Sequence, residues 1–169
     1  MKPTRMTAAD EVEVGELLRA SYAALGEREG LSPEQIHFLT TTRGSLECVR
    51  SESRSERYYV VRDAGRIVGM TAVSGDAITK LYVSPHRTGE GIGRTLFETA
   101  EAVVRSDGHT RVTLGSFPTA VPFYTRMGMS VVGQKAAAGA LAGVAVALME
   151  KELPSASSMI PGGAERGSV

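Results

Sequence analysis

Residues 81–94 read Leu-Tyr-Val-Ser-Pro-His-Arg-Thr-Gly-Glu-Gly-Ile-Gly-Arg, and this stretch decides the fold. An apolar segment ends at Pro85, which cannot donate to a sheet ladder, and glycines at 89, 91 and 93 separate it from a helical pattern. In that pattern Ile92, Leu96, Ala100, Val103 and Val104 share one face, and Gly108 is placed as a stop. A strand that passes through a glycine loop into a helix makes an anion site. The first helical turn has N–H groups without intrahelical partners, and closely spaced glycines admit a pyrophosphate without a Cβ clash. Arg94 adds a direct charge, and Arg87 is near enough in sequence to reach the same phosphates. Tight turns and close helix–sheet packing use glycine as well, so the loop gains its meaning from what surrounds it. Two other phosphate motifs fail at identifiable positions. The dinucleotide fingerprint needs a third glycine where Arg94 stands, and the nucleotide-triphosphatase loop needs a Gly-Lys-Ser/Thr ending that is absent.

Outward from this stretch, helical and strand signals alternate. Thr7, with Asp10 three residues on, opens a helix over 8–25 whose Val14, Leu17, Leu18, Tyr22 and Leu25 form one buried stripe. Residues 26–30 break that pattern. Ser32, Pro33 and Gln35 make a capping box that starts a second helix, with Ile36 and Leu39 inward and an end near Gly44. Residues 58–62 and 67–73 read as antiparallel strands around the turn Asp63-Ala64-Gly65, and 78–83 as a third strand after Gly75 and Asp76. Beyond the central helix, 111–115 is a strand and 119–127 a short helix closed by Gly128. Residues 130–135 and 144–151 make a last strand pair around a small-residue loop. This order predicts an α/β fold with a mixed, mostly antiparallel sheet flanked by helices. One domain is expected over 1–153, followed by a flexible tail over 154–169 whose Ser, Gly and Pro carry no apolar period.

Composition narrows the function classes. The 169 residues, 42% hydrophobic, are enough for one core and too few for two ordinary domains. A net charge of zero gives no large basic face, which argues against a nucleic-acid partner. Cys48 is alone and cannot form an intrachain disulfide, while His37, His86 and His109 have neither metal-site nor triad spacing. No metal is expected. The N-terminus lacks a signal-peptide apolar region and no apolar run approaches the ~20 residues of a spanning helix, so no membrane association and a reducing cytoplasmic location are expected.

Two segments in order carry a family resemblance. Leu-Tyr-Val-x-Pro followed by Gly-x-Gly-Ile-Gly-Arg-x-Leu resembles the acetyl-CoA pyrophosphate motif of GNAT N-acetyltransferases. Downstream, Ala120-Val121-Pro122-Phe123-Tyr124-Thr125-Arg126-Met127-Gly128-Met129 is similar to that family's Ala-x-x-Phe-Tyr-x-x-x-Gly-Phe segment. The resemblance spans about 4–152 in element order and 67–133 in wording. It implies the GNAT acyl-CoA N-acyltransferase fold and transfer of an acetyl group from acetyl-CoA to a primary amine by direct attack in a ternary complex. No enzyme nucleophile is needed for that attack, in keeping with the missing Cys/His constellation.

The same resemblance implies site roles. Leu81, Tyr82 and Val83 would pair through their backbone with the pantetheine, and the Val83 N–H would polarise the thioester carbonyl. Arg87, Thr88, Gly89, Glu90, Gly91, Ile92, Gly93 and Arg94 would hold the pyrophosphate, and Tyr124 would contact the cofactor and protonate the leaving thiolate. Three positions depart from the family. Thr88 stands where the signature begins with Gln or Arg, Phe117 where many members place a cofactor-touching Asn, and Ala77 where many carry the strand glutamate that acts as base. Asp76, beside Ala77, is the remaining proton acceptor in sequence, although its side chain points to the opposite strand face and a turn role suits it equally. The acceptor is expected to be a small-molecule amine rather than a protein N-terminus or lysine, chosen by the loops 26–31, with Glu27 and Glu29, and 136–143. A homodimer through the sheet edge or the final strands suits this architecture. The departures motivate an alternative: a catalytically silent GNAT-like module that binds acyl-CoA as sensor or scaffold.

Overall fold

Seven strands form one sheet in the computed structural model, which describes residues 1–154. Of the tail expected over 154–169, all but Pro154 lies outside the described residues. In chain order the elements are β1 (Thr4–Arg5), α1 (Glu11–Glu29), α2 (Pro33–Phe38), α3 (Leu46–Glu52), β2 (Arg57–Asp63), β3 (Arg66–Ser74), β4 (Ala77–Val83), α4 (Ile92–Ser106), β5 (Arg111–Ser116), α5 (Val121–Arg126), β6 (Ser130–Ala136) and β7 (Ala145–Glu152). The strand order is β1-β2-β3-β4-β5-β7-β6. Every pairing is antiparallel except β4 with β5, so the expected mixed, mostly antiparallel sheet flanked by helices is what forms.

The sheet is buried from both sides at β3, whose residues from Ile67 to Val73 are all inaccessible, because a strand covered on both faces reads as a continuous apolar run. On one face α1 packs Val14, Leu18, Tyr22 and Leu25 against Tyr58, Val60, Met70 and Ala72. On the other face α4 packs Ile92 and Leu96 against Val61 and Val68. Phe97, Ala100 and Val104 continue that helix into a cluster with Val112, Leu114, Tyr124 and Met149. Gly69 allows α4 its close approach: a Cβ there would stand 2.9 Å from both Ile92 and Leu96.

The helical half corrects three expectations. The helix expected over 8–25 begins as a 3-10 turn, Ala8–Asp10, and α1 then runs past Gly26 to Glu29. Gly26 is therefore an internal packing residue, since its Cβ would lie 2.4 Å from the Ile36 side chain, and it lets α2 lean on α1. The stop is Gly30, at φ +65. The second helix keeps the Ser32–Gln35 capping box but passes through a π-turn, Leu39–Arg43, in place of a plain helical end. Only Leu39 of its two inward-facing candidates is fully buried. A third helix, α3, was not signalled. It buries a single residue, Val49, and so shows no apolar period, yet the Ser45 hydroxyl caps it by accepting the Cys48 N–H at 3.0 Å.

One irregularity shapes everything that follows. Between β4 and β5 the register contains a single pair, Ala77 with Thr113, and the strands then diverge. On its other edge β4 shifts register between Ala72/Lys80 and Val73/Ile78, which leaves Thr79 as an extra residue. A bulge of that kind sharpens local twist and bends the strand. The partner β5 keeps its own ladder to β7 along its full length, from Arg111/Glu152 to Ser116/Ala147, and does not follow.

Gly69→Ala is expected to lower stability by about 1–3 kcal/mol, because two branched side chains of α4 must be displaced. The urea midpoint of the variant against the parent measures it, and an unchanged midpoint would show that α4 does not sit this closely on β3.

Candidate functional site

A cavity of 720 Å³ occupies the opening between β4 and β5. Its walls are the end of β4, the glycine loop, the end of β5, α5, and one face of α1. Residues of an antiparallel strand point their main-chain groups alternately toward and away from the partner strand. Ser84 donates its N–H to the Val68 carbonyl at 2.9 Å, so the N–H and C=O of Val83 face the opening. There the Val83 carbonyl accepts the Ser21 hydroxyl at 3.4 Å. Among the described residues, a main-chain donor thus stands unpaired at the edge of the cavity, in a stretch of strand with no neighbour on that side.

The glycine loop delivers the start of α4 to the same opening. Gly91, at φ +79, caps the helix, and Gly89 is also left-handed at φ +84, which explains why residues with a Cβ are disfavoured at both. Gly93 serves a different purpose, since its Cβ would press to 3.3 Å on the Phe123 ring. The first hydrogen bond within the helix is donated by Thr95 to the Gly91 carbonyl at 3.1 Å, so the N–H groups of Ile92, Gly93 and Arg94 have no intrahelical partner. Free N–H groups at the positive end of a fifteen-residue helix form a ready anion cradle. Arg94 lines the cavity and is 62% exposed, held only by a 3.9 Å contact with Glu98. This donor set fits a pyrophosphate.

Arg87 lines the cavity as well, but its guanidinium is held by Asp63 at 2.9 Å and Glu90 at 2.7 Å. Those two carboxylates neutralise it, and the pair ties the loop to the β2–β3 hairpin. Glu90 is turned to Arg87 and does not line the cavity. Leu81, Tyr82, Val83, Thr88, Gly89, Gly91, Ile92, Gly93, Phe117 and Tyr124 all do. Asp76 does not. It sits at the joined end of β4 and β5, where its carbonyl accepts the Thr113 N–H at 2.9 Å and its carboxylate lies 3.5 Å from Arg111. The divergence begins one residue later, so the strand geometry that creates the opening also keeps Asp76 out of it.

Tyr124 comes from the short α5, with its ring packed on Phe123 and Phe97 at centroid distances of 5.0 and 6.2 Å. Burial raises its pKa, and the nearby Tyr82 adds to the effect, so the phenol stays protonated. Its hydroxyl has no hydrogen-bond partner among the described residues and is not sealed from the cavity it lines. Tyr82 stacks edge-on against Tyr22 at 5.1 Å.

Several lining residues were not signalled by motif: Ser21, Leu25 and Arg28 of α1, Lys80 of β4, and Arg126 of α5. The α1 group recurs at helical spacing and becomes legible once the helix is carried through Gly26. Lys80 is almost fully buried and stands 2.8 Å from Glu52 and 3.3 Å from Glu56, with the Tyr58 ring beneath it. Glu52 also holds Arg43 at 2.5 Å. A charged residue within an apolar strand acquires its partners from Glu52, at the end of α3, and from Glu56 in the turn that follows, and since α3 had no sequence signal this cluster was invisible.

The two loops expected to choose the acceptor do converge. A second pocket, of 440 Å³, lies between Glu29, Gly30, Leu31 and Gln35 on one side and residues 142–145 on the other. Glu27 is an exposed helical residue, and Glu29 accepts the Thr119 N–H at 3.0 Å together with the Thr119 hydroxyl. Among the described residues, no group of acidic, histidine and cysteine side chains could hold a metal ion, and no helix is long and apolar enough to cross a membrane.

Comparison with known proteins agrees with this arrangement. The family model for the acetyltransferase (GNAT) domain matches residues 27–153. No curated protein sequence matches the chain. Among solved structures, a GCN5-related N-acetyltransferase from Rhodopseudomonas palustris superposes with a TM-score of 0.82 at 20% identity, covering 89% of this chain and 94% of that one. The PaiA N-acetyltransferase from Thermoplasma acidophilum, solved with coenzyme A, gives 0.72 at 21% identity over 89% and 98%. An aminoglycoside 6'-N-acetyltransferase, also complexed with coenzyme A, gives 0.66 at 17% identity over 97% and 100%.

The ion cluster beneath the cavity has a measurable pH limit. Burial alone raises the Glu52 pKa, but Lys80 and then Arg43 outweigh it and hold the carboxyl below its ordinary 4.5. A carboxylate with a depressed folded pKa stabilises the fold above its unfolded pKa, and that contribution is lost as pH falls through the folded value. The thermal midpoint should therefore drop as pH falls below the ordinary 4.5, and the drop should be smaller in Glu52→Gln, although that variant starts lower at pH 7. Parallel curves for the two proteins would show that the cluster does not drive the acid transition.

Proposed function

Because the chain belongs to the GNAT acetyltransferase family, we propose that it transfers the acetyl group of acetyl-CoA to a primary amine of a small molecule, by direct attack within a ternary complex. The observation that carries this reading is the meeting, at one cavity, of the unpaired N–H groups that open α4, the outward-facing main chain of Val83 and the protonated hydroxyl of Tyr124. Acetyl-CoA supplies the activated acetyl group. The N–H groups of Ile92, Gly93 and Arg94, with the Arg94 guanidinium, would hold its pyrophosphate. The Val83 N–H would stabilise negative charge on the thioester oxygen, and Tyr124 would pass a proton to the departing sulfur. Support for a small acceptor comes from the likeness in fold to aminoglycoside 6'-N-acetyltransferases.

Among the described residues, no Asp, Glu or His lines the cavity. The amine must then lose its proton to water or arrive neutral, and Asp76, held by Arg111 outside the opening, has no part in the proposed mechanism. The same observation favours a second reading, in which the protein binds acyl-CoA as a sensor or scaffold without turnover.

Calorimetry with acetyl-CoA separates the outcomes. A micromolar Kd, about −8 kcal/mol, that is lost in Gly91→Val supports the cofactor site. Tyr124→Phe is expected to reduce kcat by about 100-fold while acetyl-CoA binding persists. Because no cavity carboxylate titrates, kcat/KM should rise with pH along the acceptor amine's own ionisation, with no acidic limb from the enzyme. Binding without turnover over a broad amine panel would select the sensor reading, and a folded parent that ignores acetyl-CoA would end both.

A further inference from the structure

The α4 N-terminus and α5 lie on one side of the sheet, and α1 lies on the other. The cavity passes between them. Ser21, Leu25 and Arg28 reach it from α1, one strip at helical spacing, while Tyr82 and Phe117 belong to the same cluster as that helix. If the start of α4 holds the pyrophosphate, this strip is the wall left for the acceptor.

Its charge is one-sided. No lining residue among the described residues is acidic. Lys80 is matched by Glu52 and Glu56, and Arg87 by Asp63 and Glu90. Arg28 has no ion pair or side-chain hydrogen bond among the described residues, although its chain neighbour Glu29 is a carboxylate. Glu29 is committed to Thr119, whose N–H and hydroxyl it accepts, and does not line the cavity. With the further lining cations Arg94 and Arg126 on α4 and α5, Arg28 is therefore, among the described residues, the uncompensated charge that α1 brings to the lining. Its place in the last turn of α1 gives it a favourable helix-dipole interaction, but that would be met equally by a side chain turned to solvent.

We propose that the acceptor amine also carries a carboxylate and that Arg28 pairs with it, so the substrate class is an amino acid or a similar acid-bearing amine; this rests on the acetyltransferase reading above. A planar guanidinium meets a carboxylate through two parallel hydrogen bonds and fixes its orientation, which would aim the amine into the opening beside Val83. A polycationic acceptor has the opposite fit, since its extra charges would face Arg28 with no carboxylate on the wall to receive them.

The test uses the full chain, a panel of amino acids with their matching carboxamides, and spermidine. At least one amino acid should exceed its amide in kcat/KM by tenfold or more, and Arg28→Ala should erase that ratio through KM rather than kcat. Arg28→Glu should shift preference toward spermidine. Acetyl-CoA affinity, measured by calorimetry, should be the same in all three proteins. Acetylation confined to amides or spermidine, no turnover of any acid-bearing amine, or a ratio that survives Arg28→Ala would each overturn the carboxylate assignment, while turnover of any amine leaves the transferase reading standing. Loss of acetyl-CoA binding in the parent would instead remove the premise.

Discussion

The parting of β4 from β5 is the constraint on which the rest depends. A parallel pair of strands would ordinarily continue its ladder, yet here one residue pair is followed by open space, and both strands retain their antiparallel partners on the outer edges. The bulge at Thr79 twists β4 away, and Tyr124, Phe97 and Leu114 pack the base of the gap so that it does not collapse. Free main-chain donors are costly in an interior, so an open strand edge lined by apolar residues is a site awaiting a partner that can accept hydrogen bonds. The loop, the helix start and α5 all derive their relevance from being anchored around that edge.

Legibility followed local chemistry. The glycine loop, α4 and the β2–β3 hairpin were readable because each announces itself by turn residues or a clean period within a few positions, whereas the Phe123–Tyr124 segment was readable through its resemblance to a family motif. Gly26 misled because glycine signals both a helix stop and a close contact, and only the position of Ile36, across the α1–α2 turn, distinguishes the two. The helix α3 was silent because it contributes one buried residue and spends its polar side chains on Lys80 and Arg43. The placement of Asp76 was partly visible, as a turn residue, but its exclusion from the cavity depends on where β5 joins, which no local pattern encodes.

Charge is distributed with a clear division of labour. Carboxylates occupy the supports: Glu52 and Glu56 beneath Lys80, Asp63 and Glu90 around Arg87, Glu101 on Arg105 and Lys151. Among the described residues, the cavity lining itself carries only cations and neutral groups. Buried ion pairs contribute little net stability, since desolvation offsets their attraction, but removing one partner is severe. In this protein the buried Lys80 cluster holds β4, while the exposed Arg87 pairs tie the loop to the β2–β3 hairpin.

The sheet order also has a consequence for synthesis of the chain. The meander β1 to β4, with α1 already made to cover it, is complete at Val83, whereas β5 has no antiparallel neighbour until β7, which begins only at Ala145. As the chain emerges from the ribosome, the amino-terminal strands can pair while the carboxy-terminal wall of the cleft is still missing. The exposed edge of β4 is then open to any strand that passes, and its correct fate depends on the last ladder to form.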